Sequence, residues 1–306
     1  MALKTAEVKM WENPEIHLGL LNDERRNNAY RSAIQQQVKK GSRVLDIGSG
    51  IGILTFFSVL AGAKKVKSVE WSDMIDLAKR IADQNGFSKN IEFIKEDILK
   101  AKLNGKFDVI THELIGGMLW DENMLKIVKR TREKYLRKNG VLIPWKIDLF
   151  LAPISHRTAG NDNFKEKFYK YNIDFSPTKV LIDDLKSIEN LPTVEFLAND
   201  KGFLADSILV NTIDFYETDG IIPKSISTTF TVNRTGSWNA MVGYFDIWLD
   251  KNNCISNYPQ TINTNWGQFV IPLGNSYTIK KGQKFKFTLF PKRFRSQWGF
   301  EFEYLK

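Results

Sequence analysis

Two glutamates bracket an apolar stretch in HELIGGMLWDENM, residues 112–124. Glu113 follows directly on a strand-like run, FDVIT, and Glu122 stands nine positions further on. Leu114, Ile115, Met118, Leu119 and Trp120 lie between them. A pair of carboxylates set around so much apolar surface suits a cation held by charge-assisted hydrogen bonds. The separation fits a loop that doubles back, with one acid at a strand end and the other in the first turn of a helix. A helix N-terminus favours the ionised form of that second acid. Taken singly, each acid also has a plainer reading, Glu122 as a first-turn helix acid and Glu113 as a satisfied structural one.

A second group of residues points to a cofactor. Asp46, Gly48, Gly50 and Gly52 close one apolar run, RVLDIGSG, and open a helical one. Glycines there let the backbone turn sharply and approach a ligand. Glu70 ends the next strand, eighteen residues after Gly52, where a carboxylate can take both ribose hydroxyls of a nucleoside. The spacing is G-x-G-x-G behind an acid, not the G-x-G-x-x-G of nicotinamide enzymes. This form resembles the motif of class I S-adenosylmethionine methyltransferases. The resemblance implies that Asp46 faces the methionine end of S-adenosyl-L-methionine. It places Asp97, at the end of IEFIKED, on the adenine side, although Asp97 also reads as a simple loop acid.

With a sulfonium donor at hand, the glutamate pair fits a guanidinium. That group stays protonated in water because its pKa exceeds about 12. Two carboxylates fix its plane, offset the approach of two cations, and draw positive charge away from the attacking nitrogen. Holding the reactants in line lowers the barrier further.

The elements that must position these residues alternate. RVLDIGSG (43–50), VKSVEW (66–71), IEFIKED and KFDVITHE read as strands, with GVLIPWKIDLFLA as a fifth. ILTFFSVLAGA reads as a helix, and SDMIDLAKRIADQNG (72–86) as another, capped by Ser72 and stopped at Gly86. DENMLKIVKRTREKYL reads as a third helix, capped by Asp121. Such alternation predicts a parallel sheet with helices on both faces. A polar stretch from about 15 to 40 reads as helical. After residue 150 period-2 runs such as STTFTVNR, QFVIPL and KFKFTLFPKRF predict a mostly β second domain, barrel or sandwich. The expected fold class is therefore α/β, a Rossmann-like domain followed by a β-barrel-like one. The expected divisions are 1–40 (N-terminal helical segment), 41–148 (cofactor domain) and 149–306 (β domain), with a segment at about 156–190 that fits neither pattern.

Composition bounds the rest. The chain has 306 residues, 42% hydrophobic and 26% charged, as in ordinary globular proteins. No apolar run follows a basic head at the start, so no signal peptide is expected, and no apolar window is long enough to span a bilayer. A single cysteine, Cys254, excludes an internal disulfide and fits a reducing, cytoplasmic compartment. The histidines (His17, His112, His156) are scattered, and no metal is expected. Lys+Arg of 44 against Asp+Glu of 35 gives +9. Much of that excess sits on the helical stretch 126–140, as a solvated face.

At this point the sequence is similar to the protein arginine methyltransferase family. VLDIGSGIGILTFFSVLAGAKKVKSVEWS, HELIGGMLWDENML, LRKNGVLIPW, VNRTGSWNAMVGYFDIWLD and TNWGQFVIPL carry the likeness, with IHLGLLNDERRNNAYRSAI upstream. The resemblance implies that Glu113 and Glu122 clamp the substrate guanidinium. It implies that Arg26 pairs with the cofactor carboxylate, that Glu70 takes the ribose, and that Met124 shapes the pocket beside the transferred methyl. The segment at about 156–190 falls where the family inserts a helical arm, which implies a head-to-tail homodimer.

Three departures stand out. The family's Thr-His-Trp loop reads Thr264-Asn265-Trp266 here. The absent histidine normally meets an acid, here Asp23; Asn265 can hydrogen-bond Asp23 but cannot carry a proton. Trp11 stands where a tyrosine is usual in the pocket roof. Leu99 replaces an adenine-side acid. The +9 charge repels basic protein tails, which favours free arginine or a small guanidino compound over protein arginine as acceptor. A nucleic-acid methyltransferase is the less fitting alternative, since THEL holds no proline turn and a neutral base has no use for two acids. A catalytically weak cofactor-binding scaffold is the other alternative.

Overall fold

The computed structural model describes residues 13–116, 119–120, 123–156, 169–170, 173–174, 193–259, 264–291 and 299–305. Residues up to Asp148, with Thr212–Ile222 and Phe245–Trp266, form one compact unit. Leu149–Asn211, Pro223–Tyr244 and Gly267–Lys306 form a second.

The first unit opens with α1 (Pro14–Asn22) and α2 (Glu24–Gln37). The polar stretch expected as one helical region is thus two helices, broken at Asp23, whose carboxylate caps α2 by accepting the Arg26 N–H at 2.9 Å. There follow β1 (Arg43–Ile47), α3 (Ile53–Leu60), β2 (Lys65–Glu70), α4 (Met74–Gln84), β3 (Ile91–Lys95), β4 (Phe107–His112), α5 (Met124–Tyr135) and β5 (Leu136–Ile143). The five strands are parallel, in the order β3-β2-β1-β4-β5. β1 and β2 are buried almost throughout, as continuous apolar runs in a covered parallel sheet should be. Strand order reverses between β1 and β4, and in such sheets ligands sit outside the carboxyl ends at that point. The register pairs Asp46 with Thr111 and Ile47 with His112, so Glu113 emerges beside the glycine turn.

Three boundaries differ from expectation. α4 starts at Met74, and Ser72 contributes only a 3.3 Å bond from the Met74 N–H to its Oγ. α5 starts at Met124 after Asn123, which is in the left-handed region at φ 56°; the expected cap Asp121 lies outside the described residues. The expected fifth strand is two, β5 and β6 (Lys146–Ile154), since Pro144 has no N–H to continue the ladder.

α5 buries Met124, Leu125, Val128, Thr131 and Tyr135. Not all of its basic face is solvated. Arg132 donates from Nη1 to the Phe215 carbonyl at 2.9 Å and from Nη2 to that of Thr218 at 3.1 Å.

The remaining strands are β7 (Tyr169–Lys170), β8 (Ile173–Asp174), β9 (Thr193–Glu195), β10 (Ile208–Asp214), β11 (Ile226–Thr231), β12 (Gly236–Trp248), β13 (Cys254–Ser256), β14 (Gln268–Ile279), β15 (Lys284–Phe290) and β16 (Gly299–Leu305). In the second unit β9, β14 and β12 pair antiparallel, as do β11, β15 and β16. Its core includes Ala152, Ile154, Ala240, Val242 and Val270. Gly243 is required there, because a Cβ would stand 1.8 Å from the ring of Phe269, its cross-strand partner. Of the expected helical arm at about 156–190, only the short antiparallel pair β7–β8 is described.

Candidate active site

Glu113 sits at the centre of a closed circuit of hydrogen bonds within the first unit. Arg26 Nη1 donates to Glu113 Oε2 at 3.0 Å. Glu113 Oε1 accepts the Ile115 N–H at 3.2 Å, and the Ile115 carbonyl accepts Trp266 Nε1–H at 3.1 Å. Next to Trp266, the Asn265 backbone N–H donates to Asp23 Oδ2 at 2.6 Å, and Asp23 Oδ1 returns to the Arg26 N–H. The circuit ties the end of β4 to the α1–α2 corner and the 264–266 loop.

Arg26 is 5% exposed at its side chain and Glu113 16%. Burial pushes the Glu113 carboxyl above the ordinary glutamate range; the Arg26 guanidinium and the Ile115 N–H pull against it, and Asp23 adds to the rise. Arg26 also donates from Nε to Asn27 Oδ1 and from Nη2 to Asn27 Oδ1 and the Leu20 carbonyl. Of its five N–H donors, one on Nη1 is left over among the described residues. The carbonyls of Leu20 and Leu21, at the open end of α1, each accept from Asn27 Nδ2 at 2.9 Å.

Glu113 shares one cavity with the glycine turn and Glu70. Gly48 and Gly50 hold φ of 64° and 52°. A Cβ on Gly48 would stand 2.7 Å from Leu114, and one on Gly50 3.2 Å from the His17 ring. Glu70 accepts the Gly50 N–H at 2.9 Å on Oε2 and the Ser72 N–H at 2.8 Å on Oε1, which fixes its carboxylate at the end of β2. Each of its oxygens keeps a second lone pair for a ribose hydroxyl. The bare glycine turn, the fixed Glu70 and the spare Arg26 donor fit a nucleoside cofactor carrying an amino-acid carboxylate. Gly52, at φ 93°, caps α3.

Other expected site residues sit differently. Asp46 borders the cavity but is 1% exposed, and its oxygens are taken by Thr55 Oγ1 at 2.6 Å and Thr111 Oγ1 at 2.9 Å. Burial raises its carboxyl to about 6, the two threonine hydroxyls opposing. It pins β1 to β4 and α3. Asp97 does not border the cavity; its Oδ1 accepts the Leu99 N–H at 2.9 Å, the behaviour of a loop acid. Asn265 meets Asp23 through its backbone N–H, not its side chain, because Asp23 lies against the loop's main chain. Met124 and Trp266 are buried, at 1% and 6%. Glu122 and Trp11 lie outside the described residues.

The cavity also takes in His17, Leu20, Trp71 and Leu114, none of them anticipated as ligand contacts. A lone histidine or tryptophan has no spacing to mark it. Trp71 was legible only as the neighbour of Glu70. Among the described residues no group of three or more His, Cys, Asp or Glu is placed to hold a metal, and no helix is long and apolar enough to cross a membrane.

Comparisons with known proteins bear on this arrangement. Residues 38–191 match a family described as "Methyltransferase domain". Protein arginine N-methyltransferase 1.1 of Arabidopsis thaliana is 33% identical over 275 residues, 88% of this chain and 69% of that protein. Protein arginine N-methyltransferase 1 of Dictyostelium discoideum is 30% identical over 88% of this chain and 79% of its own length. Two solved structures share the fold. Arabidopsis thaliana protein arginine methyltransferase 10 gives a TM-score of 0.78 at 24% identity, covering 92% of this chain and 89% of that one. A Trypanosoma brucei PRMT1 enzyme–prozyme heterotetrameric complex with AdoHcy gives 0.78 at 22%, covering 97% and 99%. This chain belongs to the protein arginine N-methyltransferase family.

Proposed function

We propose that this protein transfers a methyl group to a guanidinium nitrogen of arginine within a protein acceptor. By family it is an S-adenosyl-L-methionine-dependent arginine N-methyltransferase. The observation that carries the site is that Glu113, Glu70 and the glycine turn border one cavity. Relatives at 30–33% identity are named for protein arginine. They outweigh the argument from +9, which favours a small acceptor.

The cofactor, when bound, supplies an electrophilic methyl on sulfur. Glu70 holds the ribose side, and the spare Nη1 hydrogen of Arg26 meets the carboxylate side. Glu113, with Glu122 as its partner, grips the acceptor guanidinium. Each Glu113 oxygen has one lone pair beyond those used by Arg26 and Ile115. Burial raises the Glu113 carboxyl, which suits it to accept a proton, while Asn265 has no titratable group to do so. The head-to-tail homodimer belongs to the same reading; its check is sedimentation of a chain lacking 160–190, which should be monomeric.

One observation favours a second reading. Glu113 is already paired with a guanidinium of the protein itself, which suits a cofactor-binding scaffold of weak activity. Mass spectrometry of a reaction with labelled cofactor, offered free arginine beside arginine peptides, separates the readings. Label on peptide arginine is expected. Label on free arginine alone would restore the small acceptor, and label on neither would leave the scaffold.

A further inference from the structure

The two ends of the parallel sheet differ in charge. Asp46, Glu70 and Glu113 border the cavity at the carboxyl ends of the strands. At the amino ends the sign reverses. In the sheet order β3-β2-β1-β4-β5, Lys89 stands before β3, Lys64 before β2, Lys40 before β1 and Lys106 before β4, with Lys138 early in β5. All five are exposed. Each strand thus brings a lysine to the same end.

Hydrogen bonds join these connections into one surface. The Lys64 N–H donates to the Ser42 carbonyl at 2.8 Å, and the Gly41 N–H to that of Gly62 at 3.1 Å. Arg43 Nη2 donates to the Asn104 carbonyl at 3.3 Å. Neighbouring strands lie about 4.8 Å apart, so the row runs roughly 19 Å from β3 to β5. The acids at this end are engaged. Asp108 holds Arg137 and accepts the Arg43 N–H, Glu92 accepts from Lys67 Nζ, and Asp83 accepts from Ser88 Oγ. Glu133 lies 3.7 Å from Arg132 Nη2.

Helix dipoles account for part of this charge. α2, α3, α4 and α5 all end on this side, and helix C-termini favour cations. Lys39 donates to the Gln36 carbonyl, and Lys106 to that of Glu133 at 3.2 Å. Lys40, Lys64, Lys89, Lys102 and Lys138 have no carbonyl or carboxylate partner among the described residues. Their charge is left for something outside the chain. Protein interfaces centre on apolar anchors and are depleted of lysine. In this unit only Leu60, at the end of α3, is a large apolar side chain exposed at that end among the described residues. Interfaces with nucleic acid are polar and strongly basic. A row of cations without aromatic platforms meets phosphates rather than bases.

We propose that the amino end of the sheet binds the phosphate backbone of a single nucleic-acid strand without reading its bases. The row lies at the opposite end of the sheet from the cofactor cavity, so the strand is a partner and not the methyl acceptor. The inference stands apart from the identity of that acceptor.

The test is fluorescence anisotropy of a labelled oligouridylate on the full chain over a range of salt concentrations. Wild type should bind it, and contact with all five lysines of the row gives a slope of about −3.5 in log K against log salt. Lys40→Glu, Lys64→Glu and Lys102→Glu combined should weaken binding at least tenfold and flatten the slope by about two. Glutamine at the same three positions should give a smaller loss in the same direction. Lys280→Glu, Lys281→Glu and Lys284→Glu combined make the same charge change at exposed positions in the second unit and should keep most of the affinity. Oligoadenylate should bind as oligouridylate does, and S-adenosylhomocysteine should not compete. No binding by wild type at low salt, equal losses in the two glutamate triples, or competition with S-adenosylhomocysteine would overturn the site. Polyglutamate or phosphatidylserine vesicles bound as tightly as the oligonucleotide would overturn the choice of nucleic acid.

Discussion

Arg26 and Glu113 form a 3.0 Å ion pair between side chains only 5% and 16% exposed, so one guanidinium held by Glu113 belongs to the protein. The pair joins α2 to the end of β4 and fixes the carboxylate beside the cofactor cavity. Breaking a buried pair by removing one partner leaves a charge uncompensated and costs about 3–5 kcal/mol. Glu113→Gln and Arg26→Ala should each lower Tm by several degrees. A double-mutant cycle should show strong coupling between them. Additive losses in thermal melts would mean that the pair contributes little.

Glu70 holds the glycine turn, since its oxygens accept the N–H groups of Gly50 and Ser72, and it borders the cavity that the proposed function gives to the cofactor. Glu70→Ala should weaken S-adenosylhomocysteine binding at least tenfold, by losing both a ligand contact and the fixed glycine turn. Glu70→Gln should lose less. Isothermal calorimetry gives the comparison, and unchanged affinity in the alanine variant would remove Glu70 from the cofactor site.

His112 is placed to add acid sensitivity. It is fully buried, edge-on to Phe215 at a centroid distance of 5.0 Å, and among the described residues neither ring nitrogen has a hydrogen-bond partner of standard geometry. Burial depresses its pKa to about 3 from 6.5, with the Pro144 carbonyl offsetting this only in part. The unfolded chain therefore takes up a proton that the folded one refuses. Stability falls as pH drops from 6.5 towards 3 and levels off below. Asp46, raised to about 6, and Glu113, also raised, act in the opposite sense as they protonate. His112→Leu should thus gain about 2 kcal/mol on wild type at pH 5 relative to pH 7.5. Parallel Tm–pH curves for the two proteins would rule the histidine out.

Arg132 anchors α5 to the Phe215 and Thr218 carbonyls. Arg132→Ala should cost about 1–3 kcal/mol of stability, as charged hydrogen bonds to buried carbonyls do, with kcat/KM unchanged. Denaturant titration beside a steady-state assay checks both halves, and a wild-type midpoint would return Arg132 to the solvated face.

The parallel sheet was legible because buried strands read as apolar runs and the helices between them keep a 3.6 period. The breaks at Asp23 and Pro144 were harder to see, because each divides a run whose two sides share one pattern. At the site, the glycine turn and Glu70 follow local spacing and could be read. The Arg26–Glu113 pair joins residues 87 positions apart, and nothing in either segment announces it. Asp46 and Asp97 have local partners that their positions in the sequence do not announce: each Asp46 oxygen accepts from a threonine hydroxyl, and Asp97 Oδ1 accepts the Leu99 N–H in its own turn. Asn265 was rightly matched to Asp23, but through a main-chain N–H that any residue there would supply.

Single-turnover methyl transfer to an arginine peptide, with Glu113→Gln against wild type, tests the central claim most directly. A gripping carboxylate predicts a rate lower by about 10²–10³, with S-adenosylhomocysteine affinity within about threefold of wild type. A variant that transfers methyl at the wild-type rate would show that Glu113 serves Arg26 alone.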